Sequence, residues 1–210
     1  MPLSRDRVLR AAVTLADSGG VEALSMRKLA QDLGVVPMAL YKHVANKDEL
    51  LDGVVDMVVA EIDPPAGGDD WKAAVRQRIL SARRALLRHP WAAQVIESRR
   101  APTPAVLAYL DSMIGLFRSG GLSVDLVHHV MHTMGSRILG FSQELFDDNS
   151  GGEPPPPEMA RLFPYVTEMA LAAAHSDDSV VGSGCDDQFE FEFALDLLLD
   201  GIERLHQRAA

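Results

Sequence analysis

A single glycine constrains this chain more than any other residue. Gly34 follows the run Leu29, Ala30 and Leu33, and precedes Pro37 by three positions. The run has helical spacing and gives one buried face. Ser25 stands just ahead of it, where a hydroxyl can accept a backbone N–H that the first turn leaves free. Glycine enters a left-handed C-cap without a Cβ penalty, so the helix stops at Gly34. Pro37 suits the first turn of the next helix, where its missing N–H is not needed. On that helix Leu40 and Val44 lie four apart and point inward, leaving Met38, Ala39, Tyr41, Lys42 and His43 on other faces. Asn46 caps a third helix, with Glu49 at capping-box spacing. Two helices about a glycine turn, the second short and mixed, form the pattern of a helix-turn-helix that lays its second helix in the DNA major groove.

The rest of the chain is also helical in period, so the predicted fold is all-α. A first helix at 4–18, capped by Ser4, carries the stripe Val8, Leu9, Ala12, Leu15 and Ala16 and stops at Gly19-Gly20. Val21 and Leu24 are placed to pack beneath the second helix. The helix at 47–62 has a broad apolar face (Leu50, Leu51, Val54, Val55, Val58, Ile62) and ends at Pro64-Pro65 and Gly67-Gly68. The domain boundary falls there, giving a helix-turn-helix head over 1–62 and a larger body over 69–210. Body helices are predicted at 71–88, 91–97, 102–119, 123–146, 158–174 and 188–207. In the fourth-last of these, 102–119, the residues Val106, Leu107, Leu110, Ile114 and Phe117 are expected inside. The helix at 123–146 is apolar on more than one face, one for its own domain and one for a partner subunit. The last helix steps through Phe191, Leu195, Leu198, Ile202 and Leu205, and Ala194 and Gly201, seven apart, would admit another helix closely. Segments 147–158, with four consecutive prolines, and 175–187 read as loops.

Charge separates the two parts. The chain has a formal net charge of −10, yet residues 1–50 carry seven Lys/Arg against six Asp/Glu, and residues 51–210 thirteen against twenty-four. The acid therefore lies outside the helix-turn-helix, where it repels phosphate and orients the molecule. No apolar run reaches the ~18 residues of a membrane span, and the first residues lack a signal-peptide apolar region, so a cytoplasmic location without membrane partners is expected. The lone Cys185 cannot form an internal disulfide. No G-x-S-x-G, phosphate loop or H-E-x-x-H occurs, so an enzyme is not expected.

The phrases SMRKLAQDLGV and ALYKHVANKDELL, with the preceding helix and its VEAL link, resemble the DNA-binding region of the tetracycline-repressor (TetR) family. More loosely, FRSGGLSVDLV, GSRILGF and FEFALDLLLDGIERL resemble the C-terminal domain of the tetracycline-repressor branch itself. The resemblance implies an all-helical homodimer, a ligand-responsive transcriptional regulator released from a palindromic DNA operator by a small-molecule effector. It implies a dimer seam made by the last helix and the one at 123–146. The competing functional reading is a small-molecule-binding or scaffolding dimer whose head no longer reads DNA.

For DNA the candidates are Arg27, Pro37, Met38, Ala39, Tyr41, Lys42, His43 and Lys47. Arg27 can reach a phosphate or a guanine edge, and Lys47 stands at a helix N-terminus that attracts phosphate. The resemblance matches Tyr41 and Lys47 to backbone-contacting positions, and Pro37, Met38, Ala39 and Lys42 to base-facing ones. Tyr41 reads equally as head packing. For the effector the candidates are Trp91, Tyr109, Met113, Phe117, Met131, Met134 and Phe141, with core packing as the alternative for each. Tetracycline repressors hold a drug–magnesium chelate through a histidine that aligns with Ile96 here, leaving Glu144 as a lone carboxylate, so tetracycline is not the expected ligand. Arg76, Arg78, Arg83, Arg84 and Arg88 read as a solvated face with i,i+4 pairs, or as a source of one or two effector contacts. His128 and His132 have zinc-compatible spacing but no acidic or cysteine partner nearby, so neither metal nor cofactor is expected.

Overall fold

The computed structural model describes residues 2–65, 68, 70–138, 157–165, 167 and 187–209. Ten named α-helices lie within them: α1 Arg5–Gly19, α2 Met26–Leu33, α3 Pro37–Leu40, α4 Lys47–Val59, α5 Trp71–Arg88, α6 Trp91–Ser98, α7 Pro104–Ser119, α8 Val124–Ile138, α9 Pro157–Leu162 and α10 Asp187–Ala209. A short 3-10 turn, Val21–Ala23, joins α1 to α2. The chain divides into two compact units, Met1–His132 and Thr133–Ala210.

In the first unit, α1, α2 and α4 each begin where a side chain accepts a free backbone N–H, while α3 begins at Pro37 with no side-chain cap. Ser4 takes that of Arg7, Ser25 that of Lys28 and Asn46 that of Glu49. Glu49 in turn accepts the N–H of Ala45 at 2.7 Å, so both ends of the box are satisfied. Gly34 is left-handed at φ 68, and the N–H groups of Gly34 and Val35 close onto Gln31 and Ala30 in a Schellman pair. The head core is Val8, Leu9, Ala12, Leu24, Leu29 and Leu40, closed by Val44 and by Leu50, Val54, Val55 and Val58 of α4. The expected inward pair Leu40 and Val44 is fully buried.

The body packs on the other side of α4. That helix contacts α1 on one side and α5, α6 and α7 on the other. The prediction for α7 needs correcting. Phe117 and Met113 are buried, but Leu107 and Ile114 are exposed. Two stripes run along α7: Val106, Met113 and Phe117 face the core, while Leu107, Leu110 and Ile114 turn away from it, and a single inward face was too simple a reading.

In the second unit α10 buries Phe191, Leu195, Leu199 and Ile202 and leaves Phe193, Leu197 and Leu205 exposed. Leu199, outside the predicted stripe, is buried with it, while Leu205 of that stripe is exposed. The predicted continuation of α8 to 146, residues 166 and 168–174 of the helix at 158–174, residues 147–156 and 175–186 of the two loops, and Phe141, Glu144 and Cys185 lie outside the described residues; 157–158 and 187, read as loop, are helical.

Candidate nucleic-acid interface and effector groove

The turn fixed by Gly34 projects α3 from the head. Regular α-helix ends at Leu40, and residues 41–43 continue as a turn in which the His43 N–H reaches back to the Leu40 carbonyl at 2.8 Å. Asn46 must be extended to cap α4 (φ −161), and the chain tightens beforehand to reach it. Tyr41, Lys42 and His43 therefore sit on a turn following α3, not on a longer helix. Pro37, Met38, Tyr41 and Lys42 are exposed, as are Arg27 and Lys47, while Ala39 and His43 are half-buried. Val36 and Met38 are 68% and 72% exposed, apolar surface left bare beside Lys42. Val36 was not among the predicted contacts; a valine immediately before the helix proline was the available signal. Lys28, by contrast, folds along α2 onto Asp32 at 3.0 Å.

Charged groups tie the head to the body along α4. Asp48 and Asp52 lie on one face, and Arg99, after α6, reaches both, with Nη1 3.2 Å from Asp48 and Nε 2.7 Å from Asp52. Asp56, one turn on, accepts the N–H of Ala105 at the start of α7 at 3.3 Å. Beyond α4, Glu61 receives both Nε and Nη2 of Arg88 and the Nε2 side of His89. The other ring nitrogen of His89 lies 2.7 Å from Asp17 of α1, and the same Asp17 oxygen accepts the indole N–H of Trp91 at 2.7 Å. Burial acts to raise the Glu61 carboxyl, but the hydrogen bonds and charges of Arg88 and His89 outweigh it and hold Glu61 below its usual range. Asp63 is likewise held low, by the Ser81 hydroxyl first and then by Arg84. Neither His89 nor these acid partners was predicted; His89-Pro90 read only as a helix break.

The α5 arginines find partners outside their own helix, where i,i+4 pairs were expected. Arg84 and Arg88 bind Asp63 and Glu61, while Arg78 and Arg83 are buried. Arg78 donates to the Asp63 carbonyl and to Ser112 Oγ, and lies over the Tyr109 ring at 4.9 Å. Spacing along one helix shows i,i+4 neighbours but not partners supplied from another element.

Most predicted effector residues are occupied by packing. Trp91 belongs to the head core and its N–H serves Asp17. Tyr109 is pressed against Arg78, and burial raises its hydroxyl to about 12 against the opposing pull of that charge. Met113 and Phe117 are fully enclosed, Phe117 with its ring 5.7 Å from Trp71. Met134 is buried within the second unit. Among the described members of the set, Met131 alone lines an open concavity: a groove of about 550 Å³ between α7 and α8, inside the first unit. Its apolar wall is Leu110, Ile114, Val124, Val127 and Met131, and its polar groups are Arg118, His128 and His132. The two histidine rings meet edge to face at 4.7 Å. Among the described residues no three His, Cys, Asp or Glu side chains gather as a metal site, and no described helix is long and apolar enough to cross a membrane.

Comparison with known proteins accounts for both halves. Residues 8–54 match the family profile of bacterial regulatory proteins, tetR family, and residues 63–206 that of the tetracyclin repressor-like C-terminal domain. The HTH-type transcriptional repressor DrrR1 of Streptomyces coeruleorubidus is 31% identical over 97% of this chain and 78% of its own length. The class D tetracycline repressor of Escherichia coli is 30% identical over 84% of this chain and 82% of its own. Among solved structures, the TetR family protein ActR of Streptomyces coelicolor in complex with actinorhodin superposes with a TM-score of 0.79 at 28% identity, covering 100% of this chain and 99% of that one. With both profiles matched in sequence order and a repressor aligned to 97% of its residues, this chain belongs to the TetR family of bacterial transcriptional regulators.

Proposed function

We propose that this regulator is a cytoplasmic homodimeric repressor whose head, residues 1–62, reads a palindromic operator and whose body, residues 69–210, binds the effector that releases it. One observation carries the reading. The exposed surface around α3 gathers Arg27, Met38, Tyr41, Lys42 and Lys47, while Asp48, Asp52 and Asp56 of the adjoining helix are engaged by the body. Lysine and arginine supply phosphate contacts, and Met38 and Ala39 supply apolar contact for thymine methyls. In a dimer the two heads would enter successive major grooves about 34–36 Å apart. The exposed stripe Phe193 and Leu197 with Gly201, where an added Cβ would meet open space, supports a second copy seated against α10.

The groove between α7 and α8 is the proposed effector site. Its wall residue Leu110 lies on the same helix whose first turn is bonded to Asp56, so a ligand that repositions α7 acts on α4 and on head spacing. A ligand favouring the form with wrong spacing shifts the population off DNA. The matched relatives are regulators, and the magnesium site of a tetracycline chelate is not completed by Ile96, so another effector is proposed.

The test is binding of purified protein to the promoter fragment beside its own gene, followed by fluorescence anisotropy. Tyr41→Ala with Lys47→Ala should abolish the shift while light scattering still reports a dimer. A wild-type protein that shifts no such fragment at low salt favours the alternative, a ligand-binding dimer that has lost operator reading.

A further inference from the structure

The chemistry of the α7–α8 groove restricts what enters it. Val124 and Ile114 are 69% and 40% exposed, so the groove presents an unfilled apolar wall, and its volume of about 550 Å³ suits a drug-sized molecule. Among the described residues the polar groups lining it are Arg118, His128 and His132. Arg118 closes α7, donating to the Leu122 carbonyl in the turn before α8, and its guanidinium carries further N–H donors in a planar fork. His128 and His132, one turn apart on α8, stack edge to face. His129, outside the lining, has Asp125 of its own helix at 3.9 Å, whereas no carboxylate of the described residues lines the groove. This local excess of cationic donors runs against the rest of the chain, whose residues 51–210 carry thirteen basic and twenty-four acidic side chains.

Resting on the reading of this groove as the effector site, we propose that the effector is an apolar molecule bearing an anionic group, a carboxylate or an acidic phenol. The apolar body lies along Leu110, Ile114 and Met131, and the anion is held by Arg118 and the stacked histidine pair. A neutral ligand of the same shape would offer no charged acceptor to the N–H donors of Arg118 that the Leu122 carbonyl does not use.

The experiment compares two fluorescent probes on the full-length protein: anilinonaphthalene sulfonate, which stays ionised, and its uncharged parent phenylnaphthylamine. The sulfonate should bind roughly tenfold more tightly or better, the worth of one charge-assisted hydrogen bond. Arg118→Gln should erase that preference while the neutral probe binds as before. His128→Gln with His132→Gln should reduce it, and serves as an independent test should Arg118→Gln loosen the α7–α8 turn. Equal affinity of the two probes for the wild type, or a preference that survives both variants, overturns the anionic assignment. Ile114→Trp should expel both probes together; if both still bind as tightly, the groove reading itself fails. Binding of neither probe to the wild type also overturns the proposal, and would mean that a second copy or another part of the chain fills the groove.

Discussion

Removing one oxygen acceptor at the end of α1 tests whether the head is held by the body. The Asp17 carboxylate accepts the indole N–H of Trp91 and pairs with His89, each at 2.7 Å, and both partners are 7% exposed. Asp17→Ala leaves two buried donors without that acceptor. Each bond to a charged acceptor is worth at most ~1.5–3 kcal/mol. The Asp17 side chain is 33% exposed, so solvent screens it and water can replace part of what is lost. The lower end applies, and the expected total is about 2–3 kcal/mol, or roughly 5–10 °C in Tm for a chain of this size. Asp17→Asn keeps one acceptor and should lose about half. The assay is urea unfolding at one fixed protein concentration, because the stability of a dimer depends on concentration. A double-mutant cycle with Trp91→Phe should return a coupling of about 1 kcal/mol. If Asp17→Ala costs less than about 0.5 kcal/mol, or if the cycle is additive, the contact does not clamp α1 to the body and the reasoning fails.

Three further outcomes are expected. Arg99→Gln leaves Asp48 and Asp52 uncompensated beside Lys47, so operator affinity should fall severalfold at low salt and return towards wild type as salt is raised; anisotropy titrations across ionic strength check this. Gly120→Ala should destabilise by about 1–3 kcal/mol in thermal unfolding, because a Cβ there would overlap the Trp71 ring and lie 2.8 Å from its Cβ. Glu61 has its folded carboxyl below the ordinary 4.5, so its stabilisation is present above that value and is lost as pH falls through the lowered one; the stability curves of wild type and Glu61→Gln, separate near neutrality, should converge as the pH falls through that lowered value when followed by urea unfolding.

How far the sequence could be read depended on the range of the interaction. Caps and glycine stops are local, and Ser4, Ser25, Asn46 and Gly34 act where their types require. The stripe of α1 is likewise set within one helix. Failure began where a residue's role depends on another element. Arg78 and Arg88 look solvent-facing from their own helix, because Asp63 and Glu61 lie beyond the preceding turn. Trp91 and Phe117 are the aromatic types that line ligand sites, yet both are consumed by packing, and no periodicity tells a cavity wall from a core. His128 and His132 were found by spacing and read for metal, whereas their placement beside Ile114 and Arg118 required the pairing of α7 with α8.

The acidic run that seems misplaced next to a DNA-reading head gains a reason from those same long-range contacts. Asp48, Asp52, Asp56, Glu61 and Asp63 lie on α4 and just beyond it, and each meets a group from α5, α6, α7 or their connections: Arg99 for the first two, the N–H of Ala105 for the third, Arg88 with His89 for the fourth, and Arg84 with Ser81 for the last. Left bare, such carboxylates would repel the phosphates that Lys42 and Lys47 are placed to meet. Held as they are, their field on the DNA side depends on where the body helices stand. A body that shifts α6 or α7 therefore changes head orientation through these bonds and, through the same bonds, how strongly the adjoining acids oppose DNA. A displacement that broke these contacts would bare the carboxylates to the DNA phosphates and at the same time free the head to turn, so the two losses of operator affinity would add.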